Sequence, residues 1–368
     1  MISTIVPGIA AVFLAVHLAT VLLALWQMSR RPGGGVIPRD ARITLLRPIC
    51  GRDAFDAETL GSSFAQDWPA YDVILCVPSD TDPAVALARE LIAANPQVPA
   101  RLLTGQERIT GNPKLDNLWK GWAAATGEYV CMTDSNLLLP PDYLSTLAAC
   151  WGPRTGLVSS PARGERPDGF AGRLECAFLN GNQGRLQLAA GALGRGFAQG
   201  KSLFWNKAML DAAGGLAPLG KWLAEDVAST RLTRASGREV TLTPRLYAQP
   251  IGRRTFRQVW DRQLRWSRVR RDGFPAIFAG EIANGAALPA ALLAITAPLW
   301  LIPFLVLWFG AEWLLCRRAG WPHGAADMAA AVVRDALLPV LWAATFLKRS
   351  ITWRGNAMEA PVRGAPTP

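Results

Sequence analysis

The longest stretch without a polar interruption is VPGIAAVFLAVHLATVLLALWQM, Val6 to Met28, which carries no acid and no formal cation. As a helix it is long enough to cross a hydrocarbon core. The basic residues Arg30, Arg31, Arg39 and Arg42 follow this run. A cleaved signal peptide has basic residues ahead of a shorter apolar core, so the order here predicts a retained signal anchor. By the positive-inside rule the N-terminus lies outside and the chain after Arg30 begins in the cytoplasm. RPGGG, Arg31 to Gly35, is then a flexible exit from the membrane.

From Arg42 to about Thr243 the period changes, and short β-rich runs alternate with helical ones. Strands are predicted over residues 43–49, 72–77, 101–103, 128–133, 156–160 and 238–243. Helices are predicted over 54–66, 83–94, 114–125 and 141–149. Such alternation predicts an α/β domain, a Rossmann-like and mostly parallel sheet covered on both faces. No GxGxxG follows the first strand and no GxxxxGK[ST] occurs anywhere, so neither a dinucleotide fold nor a P-loop is supported.

Glycine then concentrates between Phe178 and Trp205, FLNGNQGRLQLAAGALGRGFAQGKSLFW, a pattern that fits a flexible lid, an acceptor-side wall or an ordinary long loop. GRRTFRQVWDRQLRWSRVRRDGF, Gly252 to Phe274, intersperses arginines with Phe256, Val259, Trp260, Leu264, Trp266 and Val269. It predicts a basic amphipathic helix on the cytoplasmic leaflet. The apolar run Ala286 to Cys316 would be about 46 Å long as one helix, too long for one upright span. Pro289, Pro298 and Pro303 allow kinks or a hairpin, and Arg317 and Arg318 favour a return to the cytoplasm. A last apolar segment, Met328 to Leu347, is interrupted by Arg334 and Asp335; spanning, re-entering and lying flat all remain open for it.

The expected organisation is therefore a transmembrane anchor over 1–30, a cytosolic catalytic domain over 31–251 and an interfacial helix over 252–280. C-terminal membrane segments follow over 281–350, and a polar tail over 351–368. One N-terminal and two or three C-terminal membrane elements are expected.

Half of the residues are hydrophobic and the formal charge is +11, so the distribution of the basic residues decides what the charge is for. They adjoin apolar segments and lack any RRM, zinc-finger or helix-turn-helix pattern, which points to membrane and away from nucleic acid. Six scattered cysteines show no CxxC spacing, so they are expected as buried hydrophobes in a reducing compartment. Only two histidines exist, His17 in the first apolar run and His323 in a turn. A Ser-His-Asp hydrolase or Cys-His protease has nothing to be built from, and a general base must be a carboxylate, lysine or tyrosine.

In EYVCMTDSN, Glu128 to Asn136, a β-type run ends directly in Asp134. An acid at the carboxyl end of a buried strand faces the ligand crevice of an open α/β sheet; alternatively it caps the next helix. For a nucleotide-activated sugar, Asp134 is a hard oxygen ligand suited to Mg2+ or Mn2+ on a diphosphate. Asp226, in WLAEDVA, can take the proton of an attacking hydroxyl; alternatively it pairs structurally with Lys221 or Arg231. Arg265 offers bidentate pairing to a departing diphosphate, and Trp266 can wall the sugar or the acceptor; alternatively the pair is a lipid-interface anchor in an arginine-rich helix. Asp80 and Asp82, in CVPSDTDP, suit a uracil or ribose contact, or cap the helix begun by Pro83.

Taken in order, Asp80/Asp82, Asp134, Glu225-Asp226 and Arg262-x-x-Arg265-Trp266 resemble the D, D, D, (Q/R)xxRW pattern of inverting GT-A glycosyltransferases, and most closely the ceramide glucosyltransferases. LLRPICG (45–51), NPKLDNL (112–118), RQLRWSRVRR (262–271) and ITWRG (351–355) support the likeness, which covers about Leu45 to Asp272 and touches the C-terminus. The resemblance implies a GT-A catalytic domain with N- and C-terminal membrane helices, in the cytoplasmic membrane. It implies β-linked transfer of a hexose (glucose, galactose or glucuronic acid) from a UDP-sugar to the primary hydroxyl of ceramide. Asp134 would hold a metal-diphosphate, Asp226 would be the base, Lys114 would add charge near the donor, and Arg262, Arg265 and Trp266 would bind near diphosphate and acceptor. Asn136 stands where a DxD motif has its second acid, which lowers the expected grip on the metal. Alternatives are a hopanoid, polyprenyl-phosphate or glycerolipid acceptor, and a non-catalytic membrane scaffold.

Overall fold

The computed structural model describes residues 2–33, 35–222, 224–347, 351–353 and 356–358. In chain order the elements are α1 (Ile2–Ser29), β1 (Ile43–Pro48), α2 (Asp56–Gly61), β2 (Tyr71–Cys76), α3 (Ala84–Ala94) and β3 (Ala100–Leu103). There follow α4 (Pro113–Ala124), β4 (Tyr129–Thr133), α5 (Tyr143–Ala149), β5 (Thr155–Ser159), β6 (Ala162–Asp168), α6 (Gly169–Ala177) and α7 (Arg185–Ala192). Next come β7 (Ser202–Asn206), α8 (Lys207–Ala212), α9 (Glu225–Ala235), β8 (Glu239–Leu242), β9 (Tyr247–Arg253) and α10 (Phe256–Gly273). The remaining elements are α11 (Pro275–Ala279), α12 (Ala287–Thr296), α13 (Leu301–Ala319), α14 (Ala325–Ala344), β10 (Ile351–Trp353) and β11 (Asn356–Met358). The chain forms two compact units, one from residues 30–162 and 194–250, the other from α1, residues 163–193 and the described chain after residue 250.

The first unit is built on a seven-stranded sheet of order β3-β2-β1-β4-β7-β5-β8. β1 pairs in parallel with β2 and β4, and β2 with β3. β7 runs antiparallel between β4 and β5. The central strands are buried on both faces, which is why ITLLRP and YVCMT read as continuous rather than alternating apolar runs. Leu45, Val73 and Cys131 face one apolar layer, while Leu46, Ile74 and Met132 face another that includes Leu115 and Trp122 of α4.

All six expected strands are present to within two residues at their ends, whereas β6, β7 and β9 were not anticipated. β7 lies inside the glycine-rich stretch expected to be a lid or a loop, and residues 178–192 of that stretch are a π-helical turn, Phe178–Gly184, followed by α7. Close approach, and not flexibility, accounts for two of its glycines. A Cβ at Gly181 would collide with the Glu312 carboxylate, and one at Gly200 would lie 2.6 Å from Glu225 Oε1. Residues 163–193, expected within the catalytic domain, belong to the unit that holds the apolar helices.

In that second unit, the segments Val6–Ser29 and Pro298–Ala319 are long and apolar enough to cross a membrane. A third span is possible by length and composition if Pro275–Ala283 and Ala287–Thr296, bent by 41° at their junction, count as one. The prolines act as start signals. Pro289 and Pro303 sit in the first turns of α12 and α13, where a missing N–H costs nothing, and Pro298 opens the short 3-10 turn that separates them. Ala10, Leu293, Phe304 and Trp308 form the apolar contact among α1, α12 and α13. Val12, Val16, Leu22, Leu299, Ile302 and Val306 are left exposed, as lipid-facing positions are.

α14 does not pass as a span, for its middle holds a charge cluster. Arg334 donates to both Glu312 oxygens, at 2.6 and 2.8 Å, and to Asp335 Oδ1 at 2.6 Å. All three residues are almost fully buried, so the polar interruption seen in the sequence is satisfied internally. β10 and β11 form a hairpin over part of the expected tail, and Arg354 and Gly355 of ITWRG lie outside the described residues.

Candidate active site

The site begins where β4 ends. Thr133 is paired with Ser202 in the antiparallel ladder to β7, and one step further the Asp134 N–H donates to the Lys201 carbonyl at 3.1 Å. Directly opposed residues on antiparallel strands project to the same face, so Asp134 and Lys201 are a cross-strand pair. Lys201 Nζ lies 3.0 Å from Asp134 Oδ2 and donates at 3.0 Å to Asn136 Oδ1. Lys114 approaches the other carboxylate oxygen, Oδ1, at 2.6 Å. Partial burial pushes the Asp134 carboxyl up, but the two ammonium groups overcome this and hold it well below the usual carboxylate range. The alternative of Asp134 as a helix cap does not hold, because the next helix, α5, starts at Tyr143 with Asp142 at its N-cap position.

The loop after Asp134 is fixed from beneath. Arg47, in β1, has no solvent exposure and donates to the carbonyls of Thr59, Ser135 and Leu137 and to Ser63 Oγ. Arg47 lies within LLRPICG, a stretch from which no role for it was expected. The available signal was a cation within an otherwise apolar strand, where it has to be satisfied internally.

Lys114 is set by the start of α4. Asn112 caps that helix by accepting from the Lys114 N–H, and Pro113 takes the first helical position. The three protons of the Lys114 ammonium match Asp134 Oδ1, Glu225 Oε1 at 2.6 Å and the Gly200 carbonyl at 2.7 Å. Burial lowers its pKa, and the Asp134 and Glu225 carboxylates more than reverse this, so Lys114 is firmly cationic.

Glu225 and Asp226 open α9, where the helix dipole favours acids, yet their environments differ. Glu225 is buried between Lys114 and the Asn112 amide, which donates to Oε2 at 3.2 Å. Asp226 accepts only backbone-type donors in the same cluster, from Gly200 at 3.2 Å and Val227 at 2.7 Å. Burial, reinforced by the Glu225 charge, pushes the Asp226 carboxyl up to about 6. Asp134 is thus held as an anion while Asp226 is poised near neutral pH, a division of labour that suits a charge-holding group beside a general base.

At the ends of β1 and β2, Asp82 accepts from the N–H of Gly51 at 2.9 Å and of Ala84 at 2.8 Å, so it ties the loop after β1 to the start of α3. This is the capping alternative. Asp80 is exposed two residues earlier. Arg262, Arg265 and Trp266 belong to the other unit and share one face of α10 by their i, i+3, i+4 spacing. Arg262 donates to Glu175 of α6 at 2.9 Å, and Glu175 is 1% exposed. Trp266 packs against Cys176, Leu179 and Ile251. Glu175 and Lys201 were both missed in the sequence, the first because it lies in an unremarkable helix, the second because β7 was hidden among glycines.

Among the described residues no group of three or more His, Cys, Asp or Glu side chains could hold a metal ion. Yet Asp134 Oδ2 and Asn136 Oδ1 converge on one cation, the Lys201 ammonium at 3.0 Å from each. Two hard oxygens sharing a cation-sized position fit Mg2+ or Mn2+ carried with a diphosphate, which binds through few protein ligands.

A mostly parallel sheet with this carboxylate and lysine cluster beyond its strand ends defines a glycosyltransferase of the GT-A fold. A mannosyltransferase of Pyrobaculum calidifontis, solved in complex with GDP-Man and Mn2+, superposes with a TM-score of 0.55 at 20% identity, over 94% of this chain and 98% of that one. The chain belongs to glycosyl transferase family 21, whose model matches residues 5–365. The likeness to ceramide glucosyltransferases read from the motifs is borne out at the level of the family.

Ceramide glucosyltransferase 3 of Caenorhabditis elegans is 24% identical over 330 residues, 85% of this chain and 72% of that protein. The ceramide glucosyltransferase of Komagataella phaffii is 37% identical over 115 residues, 30% of this chain and 23% of that protein. Except for the first, these relatives are matched over about half of their length or less, as with ceramide glucosyltransferase 1 of Caenorhabditis elegans at 52%. The family makes this a glycosyltransferase, and two of its helices are long and apolar enough to cross a membrane.

Proposed function

We propose that the chain is a multi-pass enzyme of the cytoplasmic membrane, its catalytic unit on the cytoplasmic side, which transfers a hexose from a UDP-sugar to the primary hydroxyl of ceramide with inversion. The observation that carries this reading is the pair of acids in one cluster, Asp134 held anionic by two lysines and Asp226 raised towards neutral pH. Support for the acceptor comes from the names of the relatives and from helices whose exposed apolar faces let a two-chain lipid present its headgroup without leaving the bilayer.

In this mechanism Asp226 takes the proton of the attacking hydroxyl as it adds to the anomeric carbon, and the sugar leaves the nucleoside diphosphate with inversion. Asp134 and Asn136 would hold a divalent cation, which would supply positive charge against that developing on the leaving diphosphate. Lys114 fixes Asp134 and adds positive charge on the donor side. Asp80 lines the nucleoside rim, and Asp82 holds that rim in shape. The basic helix α10, shorter than the 252–280 expected for it, lies at the interface, where Arg262 keeps Trp266 in place, Arg265 binds the diphosphate and Trp266 walls the acceptor.

The test is an acceptor and donor panel. Membranes containing the full chain are incubated with labelled UDP-glucose, UDP-galactose or UDP-glucuronic acid and with ceramide, a hopanoid, polyprenyl phosphate or diacylglycerol. A labelled product on ceramide is expected. Product on a non-sphingoid lipid alone would overturn the acceptor, and no product from any UDP-sugar would overturn the donor.

A further inference from the structure

Lys201 is the one cation of the cluster that no expected role accounts for. Lys114 is locked by three acceptors, two of them carboxylates. Lys201 stands differently. It immediately precedes β7, directly across from Asp134, is mostly buried, and its Nζ is shared by Asp134 Oδ2 and Asn136 Oδ1, two residues apart on one turn. Those are the two oxygens assigned above to a divalent cation. A metal and an ammonium cannot both occupy the space between them, since each oxygen is already within hydrogen-bond reach of Nζ.

We infer that Lys201 is a tethered placeholder for the divalent cation, an ammonium that occupies the Asp134–Asn136 position in the donor-free enzyme and withdraws from it when a cation enters with the nucleoside diphosphate. This rests on the donor site proposed above and adds a consequence for it. Without Lys201, Asp134 would keep one uncompensated oxygen in a partly buried site and would attract free divalent cations. With it, the site is neutralised by the chain itself, so the cation binds weakly alone and tightly only when diphosphate oxygens complete its coordination. The withdrawn ammonium keeps its charge, and the diphosphate supplies anionic oxygens for it to meet. Asn136 belongs to the same device: an amide shares the ammonium without adding a second negative charge that would favour the metal outright.

The test is Mn2+ binding to the full-length chain in detergent, read by the electron paramagnetic resonance signal of free Mn2+, with and without UDP. Wild type is expected to bind Mn2+ weakly alone and markedly more tightly with UDP. Lys201→Met is expected to bind Mn2+ alone about tenfold more tightly, the scale on which neighbours of metal ligands tune affinity. UDP should then add less to that variant than to wild type. Lys201→Arg, which keeps a cation in place, should stay close to wild type, and Lys201→Gln repeats the measurement if the methionine variant folds poorly.

Equal Mn2+ affinity of wild type and the uncharged variants, with UDP still enhancing binding in all of them, would overturn the placeholder and leave the donor site standing. Failure of every form to take up Mn2+ with UDP would overturn the placeholder together with the cation assigned to Asp134.

Discussion

Asp134 and Asp226 are the same residue type in one cluster, and the protein pulls their protonation in opposite directions. Lys114 and Lys201 reverse the effect of burial at Asp134; at Asp226 burial and the Glu225 charge outweigh the lowering effect of the Gly200 and Val227 N–H groups and of Lys114. A general base acts only when deprotonated, so transfer should fall as pH drops through about 6, the raised value of Asp226. The expected limb is about a tenfold loss per pH unit below that value, measured as kcat/KM between pH 7 and pH 5. A flat profile across that range would remove Asp226 from proton transfer. Arg47 acts one layer below. Arg47→Met would leave the Ser135 and Leu137 carbonyls without their buried donor, at about 1–3 kcal/mol for each group so orphaned. A lower melting temperature together with weakened UDP binding by calorimetry is expected. Unchanged UDP affinity would mean that the loop keeps its shape without the guanidinium.

Elements were legible where one pattern dominated and illegible where two overlapped. The continuous apolar runs of β1, β2 and β4 could only be strands buried on both faces, and Asp134 was placed correctly at the end of β4 because the run stops there. β7 was lost because SLFW is short and follows a glycine series that reads as loop, so its lysine was lost as well. The glycines misled for a physical reason. A sequence reports their freedom of backbone, but not that Gly181 and Gly200 are small to admit the Glu312 and Glu225 carboxylates. Likewise Arg334 and Asp335 left the fate of the last helix open, since the partner that settles it, Glu312, sits in another apolar run. Glu312→Ala would leave the Arg334 guanidinium buried with half of its compensation, a loss of roughly 3–5 kcal/mol. A clear drop in the thermal midpoint of the detergent-solubilised chain is expected, smaller for Glu312→Gln. An unchanged midpoint would show that the buried cluster contributes nothing to folding.

For the whole molecule, a seven-stranded sheet carries the acids, and a separate set of helices carries the exposed apolar surface and the arginine-rich α10. The interleaving of these units along the chain was not legible, because residues 163–193 are neither apolar enough to mark a span nor regular enough to mark a sheet. Sequence motifs singled out Asp134, Asp226 and Lys114 because chemistry constrains their order, whereas Lys201 and Arg47 support the Asp134 turn, and Glu175 supports Arg262, from positions that only the fold brings near. On this account the sheet unit performs the transfer. The most direct test is the transfer rate of Asp226→Asn, measured in the same membranes as wild type and alongside its UDP affinity. Transfer lowered by about 10²–10⁴-fold with UDP binding retained is the predicted result; a variant that transfers sugar at the wild-type rate would contradict it.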